Sequence, residues 1–449
     1  MFYGTRITRG VSSWQIFPCK DGCCQAEIGG SWRLEEGAAR AGVSSAVPSY
    51  RLLRQDDNSV ITGWTGADSY DANTWSACVT IPRGGLYRLE TCLDTVSAKT
   101  GEHWRFRGDM RMHIGCGDVF VIAGQSNAAG YGKGVAWDAP DVRVHVKRNS
   151  GVWDMATHPL NDATDAYDCP NVPMGQVGTS PFLSFGKRHA DYTSCPVGLI
   201  PAAQGGSPIR DWDPKQGGHL FRNMISKIQR AGGATAILWY QGCAEAMTGE
   251  TDTYFDSFKS LVESTRRILG WTIPFYTFQL NGYLGDTSPG QWELIRAAQR
   301  RAAHEIGEVY LLPTWGMDLA DDIHISPSSN VALGEQLAAL MDLGVRAPDL
   351  MRAEKTSENQ FRLVFDNVRG SLLLRGPAER QELAIRDEAG QIPVSGIRAE
   401  GNCLTVTLAR EIHGGAFVSM GLGAVPQPQP VMDDATNLPA IPFLDEPIV

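Results

Sequence analysis

The sequence predicts an α/β protein, with a parallel sheet and its helices in the middle of the chain and β-rich segments before and after. Three observations carry this. The middle alternates short, wholly apolar runs with stretches whose apolar residues recur at three and four, as buried parallel strands alternating with amphipathic helices do. Both ends show polar–apolar alternation broken by turn residues, the pattern of half-buried antiparallel strands. The 449 residues, 43% of them hydrophobic, suffice for two or three cores.

Taken in order, residues 1–112 read as an N-terminal β-sandwich-like domain, with YRLLRQDDNSVITGW and GGLYRLETCL as its clearest strands. Residues 113–345 follow as the α/β domain. Its strands are DVFVIA, VGLIPAA, TAILWY, IPFYTF and VYLLP; its helices are SPFLSFGKRHA, HLFRNMISKIQRAG, YFDSFKSLVESTRRILG, QWELIRAAQRRAAHEIG and NVALGEQLAALMDLG. Strand–helix repeats imply right-handed crossovers and a parallel sheet covered on both faces. VRVHV is expected to add a second sheet strand, and the rest of 132–178 a loop over the site. Residues 346–449 return to alternation in QFRLVFDNV, RQELAIRD and CLTVTLA, forming a C-terminal β-rich domain with a proline-rich tail.

Charge and composition exclude several functions. A net charge of −10 offers no basic footprint for nucleic acid. No stretch reaches the roughly 20 apolar residues of a membrane helix. The opening MFYGTRITRG lacks the order of an export signal, so a cytoplasmic location is expected, or a secreted one if the N-terminus has been trimmed. Ten scattered cysteines contain no CxxC pair, so no zinc site is expected, and reduced thiols are the default. GYGKG at 130–134 is too irregular for a dinucleotide fingerprint and lacks the acidic residue that should follow. The chemistry requires no cofactor; homo-oligomerisation stays open.

In a parallel sheet the ligand lies off the carboxyl ends of the strands, so the residues just after each strand carry the functional reading. After DVFVIA comes GQSN: Gly124 permits a sharp turn and presents Ser126 between Gln125 and Asn127. After VGLIPAA comes QGGSPIRDW, where Gly205 or Gly206 can turn a free N–H toward a developing oxyanion, and Arg210 and Trp212 can line a sugar or carboxylate site. After TAILWY comes Gln241, whose amide can donate to the same oxyanion; Cys243 next to it reads as a packed thiol. After VYLLPTWGMDLA comes DDIH, where Asp321, with Asp322 as competitor, can fix the tautomer of His324. Each has a bland alternative: a Ser N-cap, a Gly turn, a turn-stabilising Gln, a surface loop. Four strand ends supplying these groups together favour nucleophilic catalysis with Ser126 as the reactive hydroxyl.

At these residues the sequence resembles the SGNH hydrolases, specifically carbohydrate esterases of the sialate O-acetylesterase type. GQSN (124–127), GGSPIRDW (205–212), WYQG (239–242) and DDIH (321–324) carry the resemblance. It implies a flavodoxin-like three-layer α/β/α sandwich, with Ser126 as nucleophile, His324 as general base and Asp321 as its partner. It further implies an oxyanion hole from Ser126, Gly205 or Gly206, and Gln241. Gln125, Asn127, Arg210, Trp212 and Glu245 are expected to contact substrate. Relatives commonly continue WYQG with Glu-Ser, whereas Cys243, Ala244 and Glu245 follow here; either Glu245 takes the polar role or that network is rewired. The implied partner is an O-acetylated carbohydrate, foremost an O-acetylated sialic acid, with xylan or another plant glycan as alternative. A carbohydrate-binding protein without catalysis is the alternative of another class.

Overall fold

A computed structural model describes residues 3–34, 36, 42–162, 178–375, 383–424 and 431–449. The expected loop over the site falls partly on 163–177, and the proline-rich tail partly on 425–430; those parts lie outside the described residues.

One strand organises the molecule. His103–Gly124 is 22 residues long. Its first half pairs antiparallel with Tyr87–Ser97, and its second half pairs parallel with Val197–Pro201 on one side and Ala236–Tyr240 on the other. The strand therefore continues past residue 112, where the sequence suggests a boundary, although its pairing with Tyr87–Ser97 shifts register between Arg111 and Ile114. The alternating pattern before that point gives way to Val119–Ala123, each at most 1% exposed, because only the second half is covered on both faces.

The central sheet runs in the order Trp153–Met155, Val144–Lys147, Val197–Pro201, His103–Gly124, Ala236–Tyr240, Phe275–Gln279, Val309–Pro313. All neighbours are parallel except the first pair. VRVHV joins this sheet as Val144–Lys147, next to Val197–Pro201. The chain leaves the long strand toward one edge and later returns to build toward the other. Its carboxyl end therefore lies where the strand order reverses, the position at which open α/β sheets hold their ligands.

The five helices form as Phe182–Thr193, His219–Ala231, Tyr254–Leu269, Gln291–Glu305 and Pro327–Leu343. The first and last pack closely on each other: a side chain at Gly334 would strike the Pro181 carbonyl at 2.1 Å. The N-terminal strands and the C-terminal eight-stranded sheet each bury a separate apolar cluster, while Leu438 and Ile441 rejoin the central core.

A buried arginine links the C-terminal segment to the site. Arg296, 1% exposed, donates to the carbonyls of Leu280 (2.9 Å), Asn281 (2.9 Å), Gly421 (3.1 Å) and Gly423 (2.8 Å). A buried guanidinium persists only where its donors are satisfied, and here four carbonyls do so. The Leu280–Asn281 turn, directly off the carboxyl end of Phe275–Gln279, is thereby fixed in place.

Candidate active site

Ser126 sits at the reversal point. Gly124 adopts φ +120°, and a Cβ there would lie 2.2 Å from the Tyr240 carbonyl, so this turn admits only glycine. The Gln125 N–H then bonds that carbonyl at 2.9 Å, and Ser126 opens a single helical turn, Ser126–Ala129. Ser126 is 8% exposed, and its hydroxyl makes no hydrogen bond among the described residues.

Asp321 and His324 meet as the DDIH spacing anticipates. Asp321 Oδ1 accepts the backbone N–H groups of Ile323 (3.0 Å) and His324 (2.8 Å), while Oδ2 pairs with His324 Nδ1 at 2.9 Å. Burial alone would raise the Asp321 carboxyl. Hydrogen bonds from His324, from Lys133 and from the two N–H groups outweigh it and hold the group well below the usual carboxylate range. Asp321, not Asp322, orients the imidazole.

Residues next to Ser126 hold the loop that carries the imidazole. Asn127 accepts the Ile325 N–H on its Oδ1 (3.1 Å) and donates to the Ile323 carbonyl (3.2 Å), so one side chain grips the backbone on both sides of His324. Tyr131 adds a second link, since its N–H bonds the Ser126 carbonyl at 3.2 Å and its ring packs 5.3 Å from the imidazole. Among the described residues His324 Nε2 has no partner and is not bonded to the Ser126 hydroxyl.

The glycine loop leaves two backbone N–H groups unbonded. Gly205 is buried, and its N–H and that of Gly206 meet no acceptor among the described residues. A Cβ on Gly205 would lie 2.8 Å from the Tyr131 hydroxyl, so glycine is required for this close approach.

The remaining expectations need correction. Gln241 is fully buried, and its amide nitrogen donates to the Ser207 carbonyl (3.2 Å) and to Glu245 (2.7 Å). With both hydrogens committed it is a strut, not an oxyanion donor. Glu245, 1% exposed, accepts from that amide and from the Ile209 N–H; burial, its strongest influence, raises its carboxyl, and these two bonds offset only part of the rise. It cross-braces two strand-end loops. Gln125 accepts from the Gly242 N–H (3.0 Å), and Asn127 is used up in the grip described above. Trp212 is fully buried, its indole N–H on Ser207 Oγ (3.0 Å). Arg210 is exposed and paired with Glu250 at 2.6 Å. Buried amides and carboxylates must be paired, and here their partners are protein groups. Burial likewise pushes the Cys243 thiol up to about 12, which makes it a packing group. Of the loop residues, Trp153 is buried, and His158 is pinned to Asp138 at 2.8 Å.

Three residues of the site escape the sequence reading. Asn281 donates to the Ile323 carbonyl (2.7 Å) and accepts from the Tyr240 hydroxyl (2.7 Å); the strand-end rule, applied after IPFYTF as well, would have found it. Tyr131 and Lys133 lie in GYGKG, whose letters suggest only a nucleotide motif. Lys133 Nζ is 2.9 Å from Asp321 Oδ2, the same oxygen that takes His324.

That contact yields a prediction. The depressed Asp321 carboxyl contributes stability that is present above the ordinary carboxylate range and lost as pH falls through its folded value. Lys133→Met removes one of the donors that depress it, so acid unfolding should begin at higher pH. The lysine is half-exposed, so the shift should be only a few tenths of a pH unit, with kcat/KM at neutral pH within about threefold. Acid titration followed by circular dichroism checks it; an unmoved midpoint would show that the pair does nothing.

Among the described residues no three His, Cys, Asp or Glu side chains are grouped to hold a metal ion, and no helix is long and apolar enough to cross a membrane. A parallel sheet with a hydroxyl and a carboxylate-held imidazole at its carboxyl edge is the equipment of a carboxylic ester hydrolase, and comparison with known proteins places the chain in that class. Residues 116–342 match the family described as carbohydrate esterase, sialic acid-specific acetylesterase; the match spans half of the chain, which belongs to this family. A curated relative, the probable carbohydrate esterase At4g34215 of Arabidopsis thaliana, is 26% identical over 247 residues, covering 49% of this chain and 88% of the relative. Among solved structures, XAC1771 from Xanthomonas citri, described as a novel carbohydrate acetylesterase, is similar with a TM-score of 0.66 at 20% identity, over 98% of this chain and 99% of that one. At that identity the likeness bears on the fold alone.

Proposed function

We propose that this chain is a serine esterase that removes O-acetyl groups from carbohydrate through an acetyl-serine intermediate. The observation that carries the reading is the grip of Asn127 on both neighbours of His324, which ties the base to the residue beside the nucleophile. A serine hydroxyl is protonated at neutral pH and attacks only if its proton is removed. In this reading His324 Nε2 takes that proton while Nδ1–H stays on Asp321. The acetyl carbonyl oxygen becomes an oxyanion among the N–H groups of Ser126, Gly205 and Gly206, where each donor supplies about 3 kcal/mol of transition-state stabilisation. The imidazolium then protonates the departing sugar oxygen. Water, deprotonated by the same imidazole, attacks the acetyl-serine and releases acetate. The crossovers along the sheet support the three-layer α/β/α reading of the core, since right-handed connections on either side of the reversal point carry helices to opposite faces.

The family description supports an O-acetylated sialic acid as the substrate. One observation favours a neutral acetylated glycan instead: Arg210, the cation expected to clamp the sialate carboxylate, is held by Glu250. Acetate release from O-acetyl sialic acids and from acetylated xylo-oligosaccharides, with acid quenching to trap acetyl-Ser126, tests both levels. Acetylation of Ser126 during turnover supports the mechanism, and the ratio of the two kcat/KM values assigns the sugar. Turnover of neither class overturns the proposal.

A further inference from the structure

We infer that the outer face of the N-terminal sheet binds the carboxylates of acidic sugar residues, at a glycan site that shares no residue with the catalytic one. The choice of a sugar as carrier of the carboxylate rests on the carbohydrate esterase reading above; the anion site is read from the sheet. Val60–Gly66, Val43–Arg54, Tyr87–Ser97 and the first half of His103–Gly124 lie side by side in that order. Successive side chains of a strand point to opposite faces. Leu52 and Leu89, paired across two strands and at most 1% exposed, pack into the N-terminal apolar cluster. Arg51 and Glu90, the next pair along, therefore point outward.

That outer face holds a depression of about 500 Å³, within the range of about 300–1,000 Å³ usual for small-molecule sites. Arg51, Arg88, Arg105 and Arg107 line it, together with Trp64 and Glu90. Like charges repel, so four guanidinium groups gathered in one place, in a chain of net charge −10, call for a counter-charge. The protein supplies only part of it. Glu90 accepts Arg51 Nε at 2.8 Å on one oxygen and Arg88 Nε at 2.7 Å on the other, and Asp94 lies 3.3 Å from Arg105. Two carboxylates thus stand against four cations, and the depression keeps an excess of positive charge.

The excess falls on Arg107. It is exposed, and among the described residues its side chain has no carboxylate partner and hydrogen-bonds only to Met110 Sδ, at 3.9 Å. It pairs with Cys92, one row along the same face from Glu90. The neighbouring guanidinium groups are already set: Glu90 holds Arg51 and Arg88, and the Trp64 ring lies 4.7 Å from Arg51 and 5.8 Å from Arg105. A planar guanidinium offers a carboxylate two parallel hydrogen bonds, so an incoming sugar carboxylate can be clasped by Arg107. The fixed cations beside it add attraction at little cost in ordering.

The test is calorimetric titration of the full chain with tetragalacturonate, sialyllactose, fully methyl-esterified tetragalacturonate and a dextran sulfate oligomer. At least one of the two carboxylated sugars should bind, and which one binds names the source of the carboxylate, while the methyl ester should not. Arg107→Ser should weaken that binding about tenfold and Arg107→Glu should abolish it. Both variants should keep the melting temperature and the aryl acetate hydrolysis of wild type. The inference is overturned if neither carboxylated sugar binds, if the methyl ester or the sulfated chain binds equally well, or if either variant keeps wild-type affinity. Binding is read here without turnover, so failure of this site and failure of the esterase reading are separate results.

Discussion

Ser126→Ala should lower kcat by about a million-fold while leaving the fold intact, because in the proposed mechanism the hydroxyl supplies the attacking atom and nothing else. Its oxygen makes no hydrogen bond among the described residues, so no buried donor or acceptor is orphaned by its loss, and the melting temperature should stay within about 2 °C of wild type. A serine-directed organophosphorus reagent should add its mass to the Ser126 peptide of the wild type and to no peptide of the variant. Retained turnover in the variant, or labelling elsewhere, would remove Ser126 from the mechanism and leave the geometry around it without a purpose.

Asp321→Asn should lower kcat by about ten-thousandfold, and the hydrogen-bond pattern explains why so small a change is so damaging. The two backbone N–H groups of Ile323 and His324 both point at Oδ1, so the oxygen of an introduced amide must take that place. Its NH2 then faces His324 Nδ1, where the carboxylate oxygen accepted a hydrogen at 2.9 Å. A donor there forces Nδ1 to become the acceptor, moves the imidazole hydrogen to Nε2, and turns the base toward the serine into a donor. Because the amide keeps both backbone bonds, the loop should stay folded; loss of the depressed carboxylate and of its Lys133 contact should lower the melting temperature by only a few degrees while turnover is lost. Steady-state kinetics beside thermal unfolding separate the two, and an Asn variant with kcat within tenfold of wild type would show that Asp321 does not set the tautomer.

Much of this was legible before any coordinates. The strands DVFVIA, VGLIPAA, TAILWY, IPFYTF and VYLLP and the five helices between and after them are local patterns, because burial on both faces demands continuous apolar runs and a helix on a sheet demands apolar residues at three and four. Ser126, Gly205, Asp321 and His324 were legible for a related reason: strand ends in a parallel sheet converge on one edge, so candidates could be gathered by position alone. Gln125, Asn127, Trp212, Gln241 and Glu245 were misread because a polar or aromatic side chain near a site has the same letter whether it faces the substrate or the protein. Which it faces depends on partners more than a hundred residues away for Gln125 and Asn127, such as the Gly242 N–H for the first and the Ile325 N–H for the second.

The sequence by itself determined the α/β alternation, the net charge of −10 and the strand-end positions of the candidate residues, because each is set by composition or by spacing along the chain. Only the tertiary structure decided that the long strand passes without a break from the N-terminal sheet into the central one. It also decided that Asn127 clasps the histidine loop, that Lys133 shares an oxygen with His324, and that Arg210 is paired away from the position expected of it. Those outcomes depend on hydrogen-bond partners brought together by the fold, and a donor's choice among acceptors is fixed only when burial has removed water as the alternative.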